Sequence, residues 1–174
     1  PFSAPLRFVS AHTEGGSAVF SRLLDPVLTT YEIPGMAYHE AYTLFQPLMN
    51  TNLSLESDIL AVKANLPRES TISFPSPGGV ILRYCDWPPG GSSPLHRHET
   101  IDFGIVIFGA MEAIMDSGET RVLKAGDCIV QRATMHAWKN ASEKEWARVI
   151  FVIQGCEPAV VAGRRMGQDL SKFG

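Results

Sequence analysis

Apolar and polar residues alternate over short runs through most of the chain, and helical spacing is almost absent. Alternation with a period of two predicts strands at residues 6–10, 18–21, 38–45, 80–86, 94–98, 102–108, 111–115, 120–123, 127–131, 135–139 and 146–153. Turn chemistry stands between them: Glu14-Gly15-Gly16, Pro88-Pro89-Gly90-Gly91, Asp116-Ser117-Gly118, Ala125-Gly126-Asp127 and Asn140-Ala141-Ser142. Helical spacing occurs at residues 57–66, where Ser57 is placed to cap Ile59, Leu60, Val62 and Leu66, and Pro67 ends the run. Many short strands with closely spaced turns describe an all-β sandwich or barrel with at most one or two short helices. The absence of a fixed-period repeat argues against a solenoid or a propeller.

The texture changes near residue 80. Residues 80–153 are dense in strands and tight turns and read as the barrel proper. Residues 1–79 hold fewer strands and a looser stretch, 46–79, stiffened by Pro47, Pro67, Pro75 and Pro77. This half is expected to wrap on the barrel as an N-terminal extension, and 80–174 to form the barrel core and C-terminal tail of one domain. At 174 residues the chain is long enough to bury a core without disulfides.

Composition narrows the partners. With 18 acidic and 15 basic residues and a net charge of -3, the chain lacks the basic surplus that nucleic-acid binding needs. No apolar run approaches the ~20 residues of a membrane helix. Cys85, Cys128 and Cys156 form no C-x-x-C pair and sit in apolar stretches, as reduced cysteines of a cytoplasmic protein do. Small molecules and further copies of the chain remain as partners.

The candidate chemistry lies in Pro94-Leu95-His96-Arg97-His98-Glu99-Thr100-Ile101-Asp102, followed later by His136. On extended backbone His96 and His98 point the same way, and Asp102 follows with the same parity. The opposite orientation would bury Arg97 and Glu99, which costs more than burying two neutral imidazoles. Two imidazoles and a carboxylate, joined by His136 from another hairpin, make a cage for one divalent transition metal. Such donors suit iron, manganese, zinc, nickel or copper better than calcium or magnesium.

Gly91, His96-x-His98, Asp102 and Gly109 resemble the first motif of the cupins, and Gly126 followed by His136 and Asn140 resembles the second. The resemblance implies a small jelly-roll barrel with the metal held inside by His96, His98, Asp102 and His136. More narrowly, Asp102-Phe103-Gly104-Ile105-Val106, Val130-Gln131-Arg132, His136–Asn140 and Glu145-Trp146-Ala147-Arg148 are similar to a group of small fungal cupins. Members of that group are often encoded with secondary-metabolite pathways and described as oxidoreductases or tailoring enzymes. Three departures stand out. Asp102 occupies a position where cupins commonly carry Glu, so its carboxylate reaches less far and can ligate directly, act through water or serve as a base. Arg132-Ala133-Thr134 replaces the Pro-x-Gly turn before His136, which implies strain if Ala133 takes a positive φ. The narrower group often lacks the second histidine of H-x-H, whereas this chain keeps His98.

Parity also places Gly104, Val106, Phe108 and Trp138 inward. On the facing strand either Leu82 with Tyr84 or Arg83 with Cys85 lines the interior. Buried, Arg83 would be an anion or carbonyl clamp; exposed, a solvated charge. Arg83, Tyr84, Val106 and Trp138 are the expected substrate contacts, in an interior suited to a small apolar or aromatic molecule. Tyr38, His39 and Tyr42 are candidates to close the barrel mouth. Phe103, Ile105 and Ile107 take the opposite parity, towards a second layer or a subunit interface, and an apolar outer sheet face would favour a homodimer.

No nucleophile elbow, Walker loop or dinucleotide fingerprint competes with this cluster. The expected function is a metal-dependent enzyme, with iron and oxidative chemistry first. Asp102 and His136 are its expected catalytic groups. A non-redox lyase or isomerase using the metal as a Lewis acid is the second reading. A non-catalytic metabolite-binding protein is the third.

Overall fold

The computed structural model describes residues 1–44 and 53–172. Two antiparallel sheets face each other across one core. The larger contains β3 (Tyr31–Ile33), β4 (Met36–Leu44), β5 (Val80–Trp87), β6 (Thr100–Phe108), β9 (Cys128–Arg132) and β11 (Ala147–Gly155), in the order β3-β4-β5-β11-β6-β9. The smaller contains β7 (Ala110–Met115), β8 (Thr120–Lys124) and β10 (His136–Asn140), in the order β10-β7-β8. Two short ribbons, β1 (Ser10–His12) with β2 (Ala18–Phe20) and β12 (Ala159–Val161) with β13 (Arg164–Met166), lie outside these sheets. The chain before residue 80 adds β3 and β4 to the large sheet, through pairs such as Tyr38 with Cys85.

Inward side chains of both sheets form the core: Ile81, Trp87, Val106, Val149 and Phe151 meet Met111, Ala113 and Trp138. A second cluster, Leu24, Leu44, Ile59 and Val62, seats α1 (Ser57–Asn65), the one α-helix among the described residues. Ser57 is the first helical residue of α1 and not its cap. Glu56 precedes it in a left-handed conformation (φ 49°), with no capping side-chain hydrogen bond. No helix among the described residues is long and apolar enough to cross a membrane.

Three strand expectations change. Leu6 makes one isolated bridge to Val27, and the first strand begins only at Ser10. Residues 94–98 are not a strand. They follow β10 through isolated bridges, His96 opposite His136 and Ser92 opposite Lys139, because Pro94 has no N–H to give a continuous ladder. Phe108 points outward and is 54% exposed. Arg148 pairs with Phe108 but Val149 with Val106, so a bulge at Ile107 flips the end of β6. The predicted strand at 38–45 matches β4 as far as Leu44, and Phe45 lies outside the described residues.

Candidate metal centre

Main-chain bonds set the three histidines in place. His96 and His136 exchange N–H to carbonyl bonds of 2.8 and 2.9 Å, and Arg97 does the same with Asp169 at 2.9 and 2.8 Å. The H-x-H segment is thus clamped between β10 and the C-terminal tail, and Arg97 also donates from Nε to Gly167 O at 2.8 Å. Every second residue from His96 to Asp102 is buried, so Thr100 joins the two histidines and the carboxylate on one face.

The imidazoles of His96, His98 and His136 offer ligand atoms that all lie within 4.8 Å of one another. His96 Nδ1 is 2.8 Å from Pro94 O, and His136 Nδ1 is 2.9 Å from Thr134 O. Carbonyls only accept, so both Nδ1 atoms carry the proton and Nε2 is the unprotonated nitrogen of each ring. The Thr100 hydroxyl donates to Asp102 Oδ1 at 2.6 Å and therefore accepts from His98 Nδ1–H. All three tautomers are set by the partner of the other nitrogen, the arrangement that orients imidazole ligands.

Burial, opposed by the Pro94 hydrogen bond, holds the His96 pKa below the usual histidine value. Burial, together with the neighbouring imidazoles, pushes His98 well down and His136 to about 3. Three neutral nitrogens fit a transition metal. Asp102 stands at the edge of this group, with Oδ2 3.4 Å from His98 Nε2. Burial raises its pKa to about 7, against the Thr100 hydrogen bond and the charge of Arg83.

The cluster opens into a cavity of about 50 Å³, room for a few waters or the end of a small molecule. The structure chooses between the two faces of β5. Arg83 and Cys85 line the cavity. Leu82 and Tyr84 lie on the opposite face, where Arg148 sits 5.9 Å from the Tyr84 ring. Tyr84 is therefore removed from the interior by the pleat, and its outer face is covered because the N-terminal segment packs there. Burial raises the Cys85 thiol pKa strongly, which leaves no thiolate.

Arg83 is 2% exposed. Its Nε donates to Glu40 Oε1 at 2.9 Å and Nη2 to Ser73 O at 2.8 Å, with Nη2 also closing on Glu40. The guanidinium is already neutralised, so it is not an open anion clamp. Trp138 lines the cavity and packs edge-on against Phe151 at 5.5 Å. Val106 faces inward as expected but is fully buried in the core and lies outside the cavity wall.

One side of the cavity is lined by a segment that periodicity did not mark. Tyr31 OH donates to Pro67 O at 2.6 Å, Tyr38 OH to Thr71 O at 2.7 Å, and Phe74 covers His98. Tyr38 holds this strap and does not itself close the mouth. His39 points away to Asp86, and Tyr42 OH donates to Asp58 at 2.6 Å. Gln131, paired opposite Asp102, also lines the wall. A polar residue at an inward position of the β9 alternation was a legible signal for it.

Two antiparallel sheets facing a cluster of three histidines, two from the segment before β6 and one from the start of β10, define a small jelly-roll domain with a candidate metal site. A cupin domain model matches residues 83–153. The "Phomopsin biosynthesis cluster protein C'" of Diaporthe leptostromiformis is 39% identical over 165 residues, 94% of this chain and 85% of that protein. The "Cupin-domain-containing oxidoreductase srdB" of Neurospora crassa is 29% identical over 95% of this chain and 81% of its own length. The chain belongs to the cupin family. Among solved structures, the Cnp3 cupin domain of Schizosaccharomyces pombe superposes with a TM-score of 0.51 at 12% identity, over 87% of this chain and 88% of that domain, a likeness of fold alone.

Proposed function

We propose that this chain is a metal-dependent cupin enzyme acting on a small, largely apolar metabolite, as an oxidoreductase of the oxygenase type in secondary-metabolite biosynthesis. The observation that carries this reading is the convergence of one ligand atom from each of three buried imidazoles, each ring held through Nδ1, at a cavity with apolar walls. The relatives from a phomopsin cluster and the oxidoreductase of Neurospora crassa support the reaction class and setting. His96, His98 and His136 would hold the metal. Iron, when bound, supplies one-electron chemistry and open coordination positions; zinc, manganese, nickel and copper suit the same donors.

The chain's own residues supply the rest. Asp102 is the one carboxylate in the described cavity wall and can take or return a proton at Oδ2. Phe74, Trp138 and Phe151 exclude water and pack against the end of the substrate that enters the cavity. Because Asp102 stands outside the three-nitrogen group, it also serves the second reading, a lyase or isomerase in which the metal polarises a carbonyl.

Metal analysis of protein purified without chelator or added metal tests the proposal. About one transition metal per chain is expected, iron for the oxidative reading and zinc or nickel for the other. His98→Ala should lose metal nearly as fully as His96→Ala and His136→Ala. Protein that takes up no metal, with ligand binding unchanged in all three variants, refutes both readings.

A further inference from the structure

Gln131 differs from every other residue of the cavity wall. It is 3% exposed, and both Oε1 and Nε2 are buried without a hydrogen-bond partner among the described residues. Leucine or methionine would fill the same space without the cost of burying an unpaired amide. The wall therefore retains a donor and an acceptor, side by side, pointed at whatever enters.

The surroundings narrow what that is. Arg83, the cationic side chain of the wall, is matched by Glu40, so Arg83 itself offers no unbalanced positive charge to a carboxylate. The complement of a neutral amide is a neutral group with its own adjacent acceptor and donor: a carboxamide, or a hydroxyl beside a carbonyl. A cavity of about 50 Å³ takes the end of a molecule and not its body. Ile72, Phe74, Trp138, Phe151 and Ile153 make the rest of the wall apolar.

We propose that Gln131 is the specificity-determining residue of this site, gripping a hydroxy-carbonyl or carboxamide end of the substrate beside the three histidines. The inference rests on the reading of this cavity as the substrate site and names the substrate class it takes.

The test titrates zinc-loaded protein with glycolamide, hydroxyacetone and acetate and follows binding by NMR shifts. Glycolamide, hydroxyacetone or both should bind the unsubstituted protein, and the difference between them tells which end group is preferred. That binding should weaken about tenfold in Gln131→Leu, the loss of one or two hydrogen bonds, with acetate binding and zinc content unchanged. Gln131→Met gives the same comparison if the leucine variant does not fold. Binding of neither neutral probe, equal binding by wild type and variant, or an equal loss for acetate overturns the proposal. Zinc uptake with no effect of Gln131 leaves the metal reading standing. A Gln131 effect in protein that takes up no metal leaves Gln131 standing and removes the metal reading.

Discussion

The ring of Phe74 lies flat on the imidazole of His98, with centroids 4.1 Å apart and planes 14° from parallel. The contact ties a candidate ligand to a segment without regular secondary structure. That segment stays in place because Tyr31, Tyr38 and Arg83 each donate to one of its backbone carbonyls. Phe74→Ala should cost about 2 kcal/mol, below the cost of truncating a fully buried Phe because the side chain is only half-buried. It should also widen the cavity while leaving the three nitrogens in place. Urea unfolding gives the first quantity, and metal content with binding of bulkier ligands gives the second.

Glu40 and Arg83 form an ion pair buried on both sides. Removing one partner strands the other, so Glu40→Leu should destabilise by about 3–5 kcal/mol. The double variant Glu40→Leu with Arg83→Met should recover most of that loss, since no lone charge remains. Chemical denaturation of the two variants and the wild type checks the non-additivity. A double variant as unstable as Glu40→Leu contradicts it.

Ala133 has φ 52°, in the turn that leads into His136, and its N–H donates to Thr100 O at 3.0 Å. A Cβ in the left-handed region is strained, and glycine there is not. Ala133→Gly should therefore raise stability by up to about 1 kcal/mol, after allowing for the greater freedom of glycine in the unfolded chain. The midpoint of thermal unfolding rises if the strain is real and falls if it is absent.

Asp86 accepts from Arg148 Nε at 2.5 Å and Nη2 at 2.6 Å, and from His39 Nε2 at 3.4 Å. Burial alone would raise its pKa, but the hydrogen bonds and charges of Arg148 and His39 outweigh burial and hold it below the usual value. The unfolded chain binds this proton at about pH 3.9. The folded pKa is the lower one, so the stabilisation is fully present above pH 3.9 and is lost as pH falls through the folded value. The stability gap between wild type and Asp86→Asn should be present at about pH 4 and close in more acid solution. Denaturation at a series of pH values measures it.

Strands whose outer face meets solvent were legible, because alternation survives where one side is wet. The β6 run from Asp102 to Val106 shows it, as does the shared parity of His96, His98 and Asp102. The signal failed where both faces are covered. On β5 the N-terminal segment packs over Tyr84 while Arg83 turns inward, so burial does not distinguish the two faces by polarity. The outward turn of Phe108 depends on a bulge against β11, a pairing invisible within β6 itself. Phe74 acts from a stretch with no periodicity at all. Its position is set by hydroxyls and a guanidinium more than thirty residues away in two cases of three.

The strand order has a temporal consequence. β11 lies between β5 and β6 and pairs with both, so these two strands do not touch along their main chains. Arg83 and Asp102 face one cavity only after residues 147–155 have been made and inserted between them. Phe151 and Ile153 of the same strand complete the wall. Such late, distant closure slows folding and exposes unpaired strand edges meanwhile. A ribosome paused before Ala147 would hold a chain that already carries all three histidines but cannot yet assemble their pocket.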